Sequence, residues 1–327
     1  MVRSVGILFR LFIIACIGMV CLGVFWRHRQ DIALAYTQFN REATILTLER
    51  EGRLQEAISQ AKQAAQEMPQ HHAGFYQHLG RLYLKLGATS QALEALKASY
   101  STNPKALAVG LSLGRLYIAQ KQWSQASVHY QTMLKRFPAS PLLLMDLGDL
   151  YMKTGIAYRQ HSQVHQSTWL WQWSQYYYEQ AEKHGLAPQR VLPRLGRVAY
   201  VRHEFPQAIR TYCKDLTQGS RHPLSRYYVG MSLLMLEFAD EGVFEAQQAL
   251  HALNDVGTDV LTTRQLAIDL QATQHFLIDE RPQEMLVPQG SPEAHHEEAL
   301  KTIVPEGCLT PRKMSPTSQH TPPQEAH

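Results

Sequence analysis

The chain repeats itself every thirty-four residues, and that period decides most of what it can fold into. The segment YQHLGRLYLKLGATSQAL at 76–93 returns as GLSLGRLYIAQKQWSQAS at 110–127, and a third copy opens with LMDLGDLYMKTG at 144. Gly80, Gly114 and Gly148 keep one spacing, and so do Tyr83, Tyr117 and Tyr151. Within each copy, Leu and aromatic residues fall at i, i+3, i+4 and i+7, the stripe of an amphipathic helix. Gly80 or Gly114, with the small Ala92 or Ala126, lets two helices approach closely. Gly52, Gly87 and Gly155 are placed to end a first helix, where a positive φ is wanted. Pro69, Pro104 and Pro138 stop a second one. One such hairpin cannot bury its own apolar face, so neighbouring copies must stack.

These residues resemble the tetratricopeptide repeat. Tyr76, Leu79, Gly80, Tyr83, Gly87, Ala92 and Pro104 supply its signature best, followed by Leu113, Gly114, Tyr117, Ala126, Tyr130 and Pro138. Weaker copies have Leu48, Gly52, Ala57, Ala61, Ala64 and Pro69, then Leu195, Gly196, Ala199, Ala208 and Tyr212. The last copy, with Gly230, Ala246 and Ala249, departs most and has Gly242 where the family has Ala. The resemblance implies an all-α, right-handed α-solenoid of about six helix–turn–helix repeats over residues 31–256. Beyond it, Leu261, Leu266, Ile268, Leu270 and Phe276 are spaced for a closing helix over 257–279. Residues 280–327 hold eight of the 16 prolines and seven acidic against four basic residues. That composition predicts a disordered tail.

The fourth repeat is interrupted near 156–172. Its first helix reads cleanly to Gly155, and the second regains phase only near Ser174. Three of the five tryptophans, Trp169, Trp171 and Trp173, lie within five residues where the extra stretch ends. Side chains two apart on a helix point about 200° away from each other, so the three cannot all face one core. Either they seat a lengthened hairpin, or they form an aromatic surface for a partner or a membrane. His161 and His165 in the same stretch have no third ligand nearby and read as a solvated pair.

Residues 1–30 carry four arginines and no acidic residue. Sixteen uncharged residues separate Arg10 from Arg27, and with Val5–Phe9 the run reaches the length of a membrane-spanning helix. Val24-Phe25-Trp26 offers no signal-peptidase site, and the apolar residues after Cys16 do not suit a lipoprotein. An uncleaved transmembrane signal-anchor over 1–30 is therefore expected. Arg3 and Arg10 tilt the charge balance toward an N-terminus inside, which places a single-pass chain in the inner (cytoplasmic) membrane with its repeats outside the cytoplasm.

Net charge is only +4, too mild to imply nucleic acid. Cys16, Cys21, Cys213 and Cys308 form no C-x-x-C pair, and the last two read as unpaired thiols compatible with either side of the membrane. No nucleotide-binding, hydrolase or metalloprotease motif is present, so neither enzyme chemistry nor a cofactor or metal is expected. In the family the first helices line a groove that holds peptides. The repeat phase puts Arg81, Leu84 and Lys85 there, then Arg115 and Ile118, Arg197 and Tyr200, and finally Tyr227 and Met231. Three arginines at one phase suit an acidic or amphipathic protein segment. The expected function is a non-enzymatic, membrane-anchored scaffold or adaptor for protein–protein interactions. The alternative is a chaperone-like envelope-biogenesis factor serving cytochrome maturation, secretion or polysaccharide export.

Overall fold

A computed structural model describes residues 27, 29, 31–219, 223–255, 260–279 and 293–310. The expected membrane anchor lies almost wholly outside these residues. Among those described, no helix is long and apolar enough to cross a membrane. The protein is an all-α solenoid of repeated helices. It divides into two compact units, the first ending at Met133 and the second beginning at Leu134.

The first unit holds α1 (31–50), α2 (Leu54–Glu67), α3 (His72–Lys85), α4 (Thr89–Thr102), α5 (Leu107–Ala119) and most of α6 (Trp123–Arg136). A 3₁₀ turn, Pro69–His71, joins α2 to α3. Ile45, Ala61, Phe75, Leu82 and Leu96 lie in one buried cluster running through α1 to α5. The glycine of each repeat sits where the partner helix comes closest. A Cβ on Gly80 would fall 2.6 Å from Leu96 Cγ, and one on Gly114 would strike the Tyr130 ring.

The second unit begins with α7 (Pro141–Gln160) and α8 (Val164–Lys183), both 20 residues long where α2, α3 and α4 have 14. The extra residues form no loop. They lengthen both arms of one hairpin. Ser140 starts α7 by accepting a hydrogen bond from the Leu143 N–H, ahead of a proline in the first turn. Gly155 was expected to end the first arm, but it lies mid-helix and takes the Trp171 indole against its Cα. Two turns away, Gly148 takes the Tyr178 ring in the same way. The lengthened hairpin thus repeats the contact between glycine and ring one heptad further out.

α9 (Pro188–Val201), α10 (Phe205–Thr217), α11 (Pro223–Met235) and α12 (Ala239–Asp255) make two more hairpins. In the last one a Cβ on Gly230 would meet the Gly242 carbonyl oxygen at 2.6 Å, and one on Gly242 the Gly230 carbonyl at 2.7 Å. Gly242 stands where the repeat pattern calls for alanine, because these two backbones touch. α13 (Val260–Asp279) packs on α12 and α11, burying Leu270 and accepting the Tyr227 hydroxyl on the Leu266 carbonyl.

Residues 293–310, assigned to a disordered tail by composition, are instead folded. α14 (Glu293–Ile303) packs on α10, and Val304 and Cys308 enter the buried cluster of Ile209, Tyr212 and Val229. Cys213 and Cys308 form a disulfide, so neither is the free thiol expected. The average over the whole tail hides the apolar set Leu300, Ile303, Val304 and Leu309, which packs against this core.

The hairpin turns share one device. Gly52, Gly87, Lys121, Ser162, His203 and Glu237 all take a positive φ. In each turn the two amides from that residue onward bond back to carbonyls of the finished helix, as from Gly87 to Leu84 and from Ala88 to Tyr83. Only the first two are glycines.

Candidate interaction surfaces

α1 and α3 bring Arg81, Lys85 and Glu49 together. The Glu49 side chain is 8% exposed, and its carboxylate accepts from Lys85 Nζ at 2.7 Å and from Arg81 Nη2. Burial pushes the Glu49 pKa up, but the hydrogen bonds from Lys85 and Arg81 outweigh it and hold it below the usual carboxylate value. Both cations therefore serve the fold before any ligand. Arg115, exposed on α5, also interacts within the fold, and Arg197 is exposed on α9. Leu84 is exposed and Tyr200 is half-buried against Phe205 and Tyr228.

The remaining groove positions need correction. Ile118, Tyr227 and Met231 are buried, so they are core residues and not a groove floor. The repeat phase alone cannot separate the two roles, since one turn of the same helix faces both. His161 ends α7 in the turn while His165 lies in α8, so the pair shares no helix face. No metal-holding cluster of His, Cys, Asp or Glu occurs among the described residues.

The three tryptophans separate as their spacing requires. Trp171 is 3% exposed against Gly155, its indole N–H without an acceptor. Trp169 and Trp173 stand outward, 55% and 37% exposed. They meet edge to face at 6.0 Å, and Trp173 meets Tyr176 edge to face at 5.6 Å. Tyr151 of α7 stacks on Tyr177 at 5.4 Å with an interplanar angle of 8°, and lies 6.4 Å from Trp173. Five rings thus form one surface on the lengthened hairpin. The run YYY after the tryptophans carried the signal for Tyr176 and Tyr177, and Tyr151 was legible only as a repeat residue.

On the same hairpin, Ile156 and Trp171 join Val201, Phe205 and Met235 around a cavity of about 330 Å³, with Arg159 and His203 also lining it. Elsewhere in this unit, Glu245 is nearly inaccessible and receives Arg226 Nη1 at 2.7 Å together with the amide and hydroxyl of Thr310. The tail segment is thus held by a disulfide at one residue and a buried carboxylate two residues later.

Residues 48–98 match the family model described as tetratricopeptide repeat. The fold is that of the tetratricopeptide-repeat proteins. A TPR protein of Thermus thermophilus superposes with a TM-score of 0.50 at 18% identity, covering 62% of this chain and 98% of that one. The pilF protein of Pseudomonas aeruginosa gives 0.50 at 15% identity, covering 70% and 97%. Identities this low speak for the fold alone. A comparison with curated protein sequences finds no significant match. Proteins of this fold are generally non-catalytic interaction scaffolds.

Proposed function

We propose that this chain is a membrane-tethered scaffold that docks a protein partner on the aromatic face of the α7–α8 hairpin. The observation carrying the reading is that Trp169, Trp173 and Tyr176 are exposed side by side where the chain departs from its repeat. Tryptophan and tyrosine supply much of the binding energy at protein interfaces, because they offer a large rigid area at small entropic cost. The arginine groove is the weaker candidate, since Glu49 already holds Arg81 and Lys85.

The disulfide supports the compartment. Such bonds persist in oxidising surroundings and are rare in the cytosol. Cys213–Cys308 therefore favours repeats that lie outside the cytoplasm, with the apolar residues 11–26 as the inner-membrane anchor. The chaperone-like reading draws on the apolar cavity beside Trp171, which suits a client's side chain.

Co-purification of the full chain from detergent tests the proposal. Trp169→Ala with Trp173→Ala should weaken capture of the partner by roughly 30-fold or more, about 1 kcal/mol or more per ring. Arg115→Glu with Arg197→Glu should leave it intact. The reverse result moves the binding site to the groove. Transient capture of unfolded clients in place of a stoichiometric complex supports the chaperone reading.

A further inference from the structure

The start of α1 projects apolar side chains that no other part of the described structure covers. Ile32, Tyr36 and Phe39 are 59%, 67% and 67% exposed, and Ala43 and the half-buried Leu46 continue the line. Their spacing is 4, 3, 4, 3, the a/d pattern of a coiled-coil seam with Tyr36 and Ala43 at a and Ile32, Phe39 and Leu46 at d. The repeats use the opposite side of the same helix. Ile45 is fully buried and Leu48 packs on the core, while Arg41 bonds to Glu67 at 2.8 Å and to Gln60 at 3.2 Å. One helix therefore carries two apolar faces, and only one of them is occupied.

We infer that the free face of α1 pairs with the same face of a second copy, as a short parallel two-stranded coiled coil between membrane and repeats. This rests on the anchored reading above, which puts two N-termini on one side of one membrane and so fixes the parallel direction. The seam's flanks at e and g are Ala33, Ala35, Asn40, Glu42 and Thr47. In a parallel pair Glu42 faces Thr47, so no like charges meet, and Glu42 already accepts from Gln38 at 2.8 Å. A lipid surface is the poorer occupant. Helices that lie on membranes flank their apolar face with Lys and Arg, and residues 30–40 contain neither. The seam's phase also runs back through Phe25 and Leu22 in the sequence, interrupted by Arg29 at an a position. Two heptads are short, so confinement to a membrane, which raises the effective concentration, is what makes the pairing persist.

The test is oxidative cross-linking of the full chain in its membrane, with Cys16→Ala and Cys21→Ala and the buried Cys213–Cys308 bond intact. Single changes Ile32→Cys, Tyr36→Cys, Phe39→Cys and Ala43→Cys should each give disulfide-linked dimer, roughly fivefold or more above Thr37→Cys and Thr44→Cys, which lie off the seam. Equal yields at all six positions, or none at any, overturn the proposal. So does quenching of a fluorophore at Phe39→Cys by spin-labelled lipid without a dimer band, which assigns the face to lipid. Cross-links to a different protein overturn it too. Carbonate extraction of the same membranes judges the anchor separately. A chain that stays in the pellet without the pattern keeps the anchor and loses the seam. A chain released to the supernatant loses the anchor, and the same six positions at raised protein concentration then decide the seam.

Discussion

At the scale of single residues, Glu49 holds two cations with a carboxylate nearly closed to water, and the direction of its pKa shift fixes how the first hairpins respond to acid. Its folded pKa lies below the ordinary 4.5, so the stability it adds is complete above that value and is lost as pH falls through the folded one. Arg81 and Lys85 are about half exposed, so solvent screens the pair and its contribution is about 1 kcal/mol. Glu49→Gln should lower the urea midpoint at pH 7, and the gap from the parent should close as the titration passes below 4.5. A gap unchanged in acid would mean that packing, not charge, was lost. Glycines divide by what they touch. At Gly230 an added methyl meets two backbone atoms of α12, the Ala246 nitrogen and the Gly242 oxygen, which cannot turn aside, so Gly230→Ala should cost about 2 kcal/mol or more despite its gain in helix propensity. At Gly80 it meets only the Leu96 side chain, which can turn aside, and Gly80→Ala should stay within about 1 kcal/mol of neutral. Chemical denaturation of the two variants compares them directly.

At the scale of helices and turns, the left-handed residue that closes each hairpin is a prediction in itself. Lys121, His203 and Glu237 occupy a conformation that glycine adopts freely and other residues adopt at a cost. Lys121→Gly, His203→Gly and Glu237→Gly should each raise stability by about 0.5–1 kcal/mol, read as additive increases in melting temperature; a loss at any one would show that its side chain has a role beyond the turn. The same positions show what the sequence disclosed. Gly52 and Gly87 were legible as turn residues, because glycine advertises a positive φ. Ser162, His203 and Glu237 were not, because only the surrounding helices impose theirs. Gly155 misled for the same reason. A glycine before an apparent insert looks like a helix end, yet its missing Cβ makes room for Trp171 in a longer helix. Trp171 could be told from Trp169 and Trp173 only once that partner was known. The exposed line Ile32, Tyr36 and Phe39 was present in the sequence, hidden by its position between an apolar run and the first repeat.

At the scale of the whole molecule, repeat proteins gain stability from neighbour to neighbour, and one covalent bond here breaks that rule. Cys213 and Cys308 are 95 residues apart, and closing a loop of that size stabilises by about 4.7 kcal/mol in the chain-entropy account. Reduction should therefore lower hydrogen-exchange protection in α10 to α12 and leave α2 to α5 unchanged. Uniform loss would show that the two units unfold as one, and no loss would show that packing alone holds α14. That α14 packs on α10 was not legible, since two cysteines so far apart declare no pairing and the prolines around them dominate the composition. The bond also reroutes mechanical load. A pull on the chain beyond Cys308 passes through the sulfurs into α10, and α11, α12 and α13 lie outside the path of the force. A molecule stretched between its ends would withhold roughly 330 Å of contour, at about 3.5 Å for each residue in the loop, until that bond is reduced.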